Sequence, residues 1–328
     1  MANLQNTAII DTGFLRIPHG TTAQRPASPV TGLRYFNTTL NIVEWYNGAN
    51  WIPEILNVNN DPRVEVFTAG GAAETVWTCP PGVFTVQALI VGGGGAGGSA
   101  NGNCSPGGGG AGGMIDTFID VTPGQTYPIT VGRGGAGNPA SPSSVGGNGA
   151  NSQFGTYIAI GGGGGGGGND TSNWRGREGG SGGGSQFTIG GFGGRIAQQP
   201  TSSSGGYGFP GGDGSTTNPQ WGGGGGGGAG SSGGPGTANI GGHGGLGRRS
   251  WITGVATWYA GGGGGGHCSN PFSPNFHGRG GQGGGGNGAA SPQGAGSAGQ
   301  TGTGGGGGGA SHNNTGGPGG PGIVILRY

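Results

Sequence analysis

The sequence predicts an all-β protein, in which a short N-terminal β-hairpin attachment or shaft module precedes a β-sandwich-like glycine-rich domain with packed polyglycine-II helices. Three observations predict it. Strand-like segments rich in Val, Ile, Thr and aromatic residues recur across 61–160 with turn residues between them. Glycine supplies 99 of the 328 residues, in runs that follow strand-like segments. Hydrophobic residues make up only 29%, too few for a conventional core in a chain of this length. The expected layout is an attachment or trimerisation β module at 1–60 and a glycine-rich β domain at 61–328. Within that domain, strands fall at 61–160 and 322–328, and polyglycine runs with aromatic loops fill 161–321.

Residues 1–60 are not glycine-rich. Pro26 and Pro29 keep the chain extended and non-helical. Two β-rich stretches, 33–36 and 42–46, are joined by a connection rich in Asn and Thr, and Asn47-Gly48 is a turn signal with Trp51 beyond it. The set Ile17-Pro18, Gly20-Thr21-Thr22-Ala23-Gln24-Arg25-Pro26, Gly32, Arg34-Tyr35, Asn37, Glu44, Tyr46, Gly48 and Trp51 resembles a module of tail fibres and other virion appendages of tailed bacteriophages. The resemblance implies a small intertwined β element in a homotrimeric fibre. Phe36 is inserted between the Arg-Tyr pair and Asn37, which leaves the hairpin register open.

In 61–160 the segments VEVFT, ETVWTC, VFTVQALIVG, MIDTFIDVT and TYPITVG read as strands, separated by turns such as PPG at 80–82 and TPGQ at 122–125. Phe84, Val86, Ala88 and Ile90 share one face at period two. The terminal GIVILRY reads as a strand that returns the chain to the sheet it started from.

The glycine runs at 92–95, 107–110, 161–168, 222–228, 261–266 and 304–309 are uninterrupted, which excludes a collagen repeat. Two readings remain. A flexible spacer explains one run but explains poorly six runs framed by β-formers. Polyproline-II-type helices of glycine direct N–H and C=O groups outward in three directions per turn, so that backbone bonds replace an apolar core. At about 3.1 Å per residue, an eight-residue run spans roughly 25 Å. The progression from VQALIVGGGGAGG through VTPGQTYPITVGRGGAG to GIVILRY is similar to a glycine-rich domain of phage structural proteins. The runs resemble those of adhesins that cap long tail fibres, which implies connecting loops that meet a host.

Charged residues amount to 7% with a formal net charge of +1 and no Lys. Isolated GRGG fragments at Arg133 and Arg279 do not make a nucleic-acid-binding tract, so no nucleic-acid partner is expected. No signal peptide and no apolar run of membrane-spanning length is visible, so membrane insertion is not expected. Cys79, Cys104 and Cys268 are odd in number and widely separated, unlike a disulfide framework. His267-Cys268 has no second ligand pair at metal-binding spacing, and no GxGxxG match sits in a βαβ unit; neither metal nor cofactor is expected. The acidic residues are scattered. Asp116 with Asp120, or Asp170 with Glu178, leave a glycan-hydrolysing carboxylate pair open on spacing alone, but no enzyme is expected.

The candidate binding residues interrupt the glycines: Trp174, Arg175, Arg177, Tyr207, Phe209, Trp251, Phe272, Phe276 and His277. Phe192, Trp221, Trp258 and Tyr259 lie in the same setting. Aromatic rings against sugar faces, with Arg and Asn bonding hydroxyls, suit a shallow glycan site on rigid loops. The same aromatics equally suit wedges at the ends of glycine helices or packing along a trimer axis. The expected function is a phage virion protein made in the host bacterial cytoplasm, homotrimeric, joined to other virion proteins through 1–60 and contacting a host surface glycan or protein. The alternative is a head decoration or head fibre protein with no receptor. Ice binding would need regular small residues on one flat face, which the irregular loops oppose.

Overall fold

The computed structural model describes residues 17–40, 42–54, 62–68, 75–100, 102, 105–137, 145–167, 174–187, 193–216, 221–268, 276–289 and 294–328. The predicted site residue Phe272, together with Phe192, Cys104 and Asp170, lies outside them. The chain divides into two units, 1–62 and 63–328. Among the described residues the fold is all-β, with two short 3-10 turns and no α-helix.

In the first unit, β1 (His19–Gly20), β2 (Arg34–Asn37), β3 (Ile42–Tyr46) and β4 (Trp51–Glu54) form one sheet in that order. Phe36 is absorbed without a bulge: Tyr35 faces Glu44, Phe36 faces Val43 and Asn37 faces Ile42. Tyr35 and Asn37 are therefore both buried, with Phe36 on the opposite face. Trp51 packs on Tyr35 and Tyr46, with ring centroids 5.7 and 5.5 Å away.

The two halves of the sequence motif meet at a buried carboxylate. Arg25 donates to Glu44 through Nε at 2.9 Å and Nη2 at 2.5 Å, and Asn37 Nδ2 donates to the same carboxylate at 3.0 Å. Tyr35 reaches back to the Thr21 carbonyl at 3.1 Å, and a Cβ at Gly20 would sit 2.4 Å from the Tyr35 hydroxyl. Burial pushes the Glu44 pKa up, but the hydrogen bonds from Arg25 and Asn37 and the Arg25 charge outweigh it, leaving the carboxyl below its ordinary 4.5. A depressed folded-state value means that the stabilisation is complete above about pH 4.5 and is lost as pH falls through the folded value. Arg25→Ala strands that carboxylate and is expected to cost about 3 kcal/mol at neutral pH, with a smaller penalty in acid. Hydrogen exchange of the Arg34–Tyr46 amides at pH 7 and pH 4 checks both; equal protection in variant and parent at pH 7 refutes it.

The second unit begins with β5 (Val64–Thr68), β6 (Thr75–Thr78), β7 (Thr85–Val91), β8 (Met114–Asp120), β9 (Thr126–Thr130), β10 (Ser152–Phe154) and β11 (Tyr157–Ala159). Short pieces follow: β12 (Trp221–Gly222), β13 (Arg248–Ser250), β14 (Thr257–Tyr259) and β15 (His267–Cys268), before β16 (Ile323–Arg327) closes the chain. One sheet runs β5-β16-β7-β8 and another β11-β10-β9-β6. The last strand thus returns to the sheet in which its unit starts, as the sequence predicts, and lies there between the first and third strands.

Between the two sheets lie Trp77, Val86, Ala88, Ile90, Ile115, Ile119, Ile129, Phe154, Val324 and Leu326. Trp77 sits among Tyr127, Phe154 and Tyr328 at centroid distances of 5.4–5.9 Å. Tyr328 donates to Glu65, and burial together with that carboxylate pushes the phenol pKa up to about 12. Phe84 departs from the predicted face. It precedes β7, is 67% exposed, and the buried alternation starts at Val86. The opposite face of β7 is buried too: Leu89 and Val91 pack with Ala111, Met114, Ala229, Ile252, Tyr259 and Ala260.

Polyglycine rods continue the sandwich strands, and they begin at Gly92 rather than only after residue 160. Gly92, Gly95 and Gly98 donate to Gly113, Gly110 and Gly107. Gly93 and Ala96 donate to Ala150 and Gly147; Gly94, Gly97 and Ala100 donate to Gly320, Gly317 and Asn314. Donors advance by three while acceptors retreat by three, so each neighbour is antiparallel and the rod has threefold polyproline-II symmetry. Segment 105–113 is the hub. It donates to 160–167, 222–230 and 304–310 and accepts from 92–100, 181–187 and 260–266. Those six bond to one another in turn around it, as in Gly162 to Gly93, Gly163 to Ser181, Gly224 to Ser185, Gly223 to Gly266, Gly306 to Gly261 and Gly307 to Gly95.

At the glycine positions between rods the packing leaves no room for a side chain. A Cβ at Gly97 would lie 1.9 Å from the Gly308 carbonyl oxygen, and one at Gly164 would lie 1.8 Å from that of Gly146. Outer rods show the complementary rule. In 316–322 the N–H groups of Gly317, Gly319, Gly320 and Gly322 all reach carbonyls of neighbouring rods, while Pro318 and Pro321, which have no N–H, take the places between. Asn also substitutes for backbone: Asn151 and Asn148 side-chain oxygens accept from Gly161 and Gly164 at 2.9 and 3.0 Å.

Candidate binding surface

Because the rods extend from the sandwich, register fixes the height of each candidate residue. Gly92 pairs with Gly113 beside the sheet, Gly98 with Gly107 far from it, and Gly107 with Gly166 at the same far level. Trp174, whose carbonyl accepts from Gln186 at 2.8 Å, therefore lies at the distal end with Arg175. Phe276 belongs there as well: its carbonyl accepts from Gly241 at 2.8 Å, beside the Gly242–Gly223–Gly266 steps. His277 follows it, half-buried.

Tyr207 and Trp251 lie at the other end, against the sandwich. Tyr207 exchanges two backbone hydrogen bonds with Met114, at 2.8 and 3.0 Å. Its ring packs on the Leu89–Met114 cluster and carries the Arg248 guanidinium 3.8 Å from its centroid. Trp251 opens the turn of the β13–β14 hairpin, 62% exposed, while the next residue, Ile252, is fully buried and anchors the turn. Arg177 and Phe209 fall between the two levels, bonded through their backbones to Gly164 and Gly182. The eight described candidates thus do not form one site: Trp174, Arg175, Phe276 and His277 lie at the distal end, Tyr207 and Trp251 against the sandwich, and Arg177 and Phe209 between.

Two distal contacts were not legible in the sequence. Phe187 stacks on Trp221 with centroids 5.0 Å apart and an interplanar angle of 18°, although 34 residues separate them (221 − 187). His267, fully buried, meets Phe276 edge-on at 5.5 Å, and its Nε2 lies 3.2 Å from the Ala238 carbonyl oxygen. Burial lowers the His267 pKa, and the bond to Ala238 offsets part of that effect. Burial also raises the Cys268 thiol and lowers His312. Among the described residues no group of three or more His, Cys, Asp or Glu is placed to hold a metal ion.

Tyr207 therefore separates packing from binding. Tyr207→Ala is expected to lower stability by about 2 kcal/mol, since the half-buried ring leaves a partial cavity under β7 and β8. Thermal melting checks this; an unchanged melting temperature would show that the ring does not support the sheet.

A family model for a glycine-rich domain matches residues 68–328. No curated protein matches the chain.

Proposed function

We propose that this chain, which belongs to the glycine-rich domain family, is a structural virion protein of a tailed phage that presents the distal end of its lattice to a host cell surface. The observation that carries this reading is the fully bonded array around 105–113, with aromatic and Arg-bearing residues at its far end. Side chains at the end of rods that cannot slide lose little freedom on docking. Repetition in a homotrimer would add avidity. The Arg25–Glu44–Asn37 network supports the phage-appendage resemblance of residues 17–51, because it gives a physical reason for the two parts of that motif to occur together.

The test is binding of purified protein to host cells and competition with infection by the parent phage, alongside Trp174→Ala/Arg175→Ala. Saturable binding lost in the folded variant supports the distal surface. Absence of binding by the assembled parent protein rejects a receptor role. A head-decoration role draws support from the tip aromatics that pack on each other, Phe187 with Trp221 and Phe276 with His267. Immunolabelling of particles separates the two readings, at tail tips for adhesion or across the head for decoration.

A further inference from the structure

Residues 221–328, the last 108 of the chain (328 − 220), contain no Asp or Glu but carry four of its five histidines, His243, His267, His277 and His312, and Arg248, Arg249, Arg279 and Arg327. Acid therefore adds positive charge to this stretch with no Asp or Glu side chain within it to offset the gain.

Two of these histidines hold one outer segment, 276–282, through nitrogens that must stay unprotonated or uncharged. His243 Nδ1 accepts a hydrogen bond from the Arg279 backbone N–H at 3.0 Å. A proton on Nδ1 turns that acceptor into a donor facing a donor. His267 lies beneath the same segment, with Phe276 edge-on against its ring and Ala238 at Nε2. Its Nδ1 is buried and has no hydrogen-bond partner, so an imidazolium there would carry an unpaired N–H and an unpaired charge.

The surrounding elements bring no relief. The 237–240 turn has no titratable side chain, β12 contributes Trp221 and Gly222, and the segment itself contributes His277 and Arg279. Across the ladder from His267 is Gly222, and Cys268 follows it along the strand, with His312 on the next rod. The charged groups on these elements are thus all basic.

We propose that 276–282 is an acid-released latch, held to the 241–247 rod at neutral pH by unprotonated His243 and His267 and freed when both take up protons. Release detaches a rod on the outside of the array, because the hub 105–113 is bonded only to the six inner rods. The remaining ties of the latch are backbone bonds such as Gly244 to Arg279 and Gly241 to Phe276, both 2.8 Å, which reclose when the histidines deprotonate. This device goes beyond host contact and stands whether or not the distal end binds a receptor.

Hydrogen exchange on the full chain at pH 7 and pH 5, corrected for intrinsic exchange rates, tests it. Protection in 276–282 and 241–247 is expected to fall at least about tenfold in acid while 105–113 stays protected. The His243→Gln/His267→Gln variant retains acceptor and donor groups without the charge and is expected to lose the acid response. If that variant does not fold, His243→Gln alone is expected to weaken the response, and the parent pattern still decides. Unchanged protection of 276–282 at pH 5, an equal loss over the hub, or a full acid response in the folded double variant each overturns the latch.

Discussion

A chain ending at Gly322 is expected not to fold. The five residues of β16 pair on one side with β5, Ile323 to Thr68 through Arg327 to Val64, and on the other with β7, Ile323 to Val91 through Arg327 to Gln87. Without them β5 has no partner and β7 exposes one edge. Val324, Ile325 and Leu326 are each at most 1% exposed and face alternately into the inter-sheet cluster and the cluster beneath the lattice. Burying each such side chain contributes about 1.5–3 kcal/mol, so the three together approach the whole margin of a typical domain, about 5–15 kcal/mol. Circular dichroism and proteolysis of the truncated chain measure this directly. A resistant, β-rich product would mean that the lattice folds without its sandwich. The point variant Ile325→Ala, expected to cost about 2–5 kcal/mol, grades the same effect in a chain that still folds.

Gly263→Ala is expected to cost at least about 3 kcal/mol, a large effect for one methyl group. The added Cβ would sit 2.0 Å from the Gly307 carbonyl oxygen and 3.2 Å from the Gly109 nitrogen. Gly263 donates to Gly109 at 2.9 Å, Gly109 donates to Gly307 at 2.8 Å, and Gly226 donates to Gly263 at 2.8 Å. Moving the rod far enough to clear the methyl breaks bonds on more than one side. Gly193→Ala is the matched control, since its Cβ would meet only Asp213 Oδ1 at 3.4 Å, and a change within about 0.5 kcal/mol is expected. Equal melting temperatures for the two variants would show that close packing does not hold the rods.

The strands were legible because Val, Ile and aromatic residues alternate in them, and the terminal strand because GIVILRY has no other β-rich stretch near it. The ordering of glycine was legible only as a choice between two states, since a run of one residue has no internal pattern. What resolves it is the composition of the outer rods, where Pro318 and Pro321 recur at the threefold spacing. Heights along the lattice were not legible: Trp174 and Trp251 look alike as aromatics in glycine-rich loops, and only the hydrogen-bond register assigns them to opposite ends. Phe84 departs from the predicted face for a local reason: β7 begins at Thr85, two residues after the predicted segment, so Phe84 still belongs to the stretch leaving the Pro-Gly turn at 80–82.

The scarcity of side chains within the rods also shapes the response to temperature. Unfolding a conventional core hydrates apolar groups and raises the heat capacity, which bends stability into a narrow dome; hydrating peptide groups lowers the heat capacity instead. A lattice in which residues such as Gly97, Gly163 and Gly263 exchange amide bonds to neighbouring rods for water contributes little of the first term and much of the second. The stability curve is thereby flattened, so the glycines that leave no room for a methyl group also widen the span of temperatures, cold included, over which the tip keeps its shape.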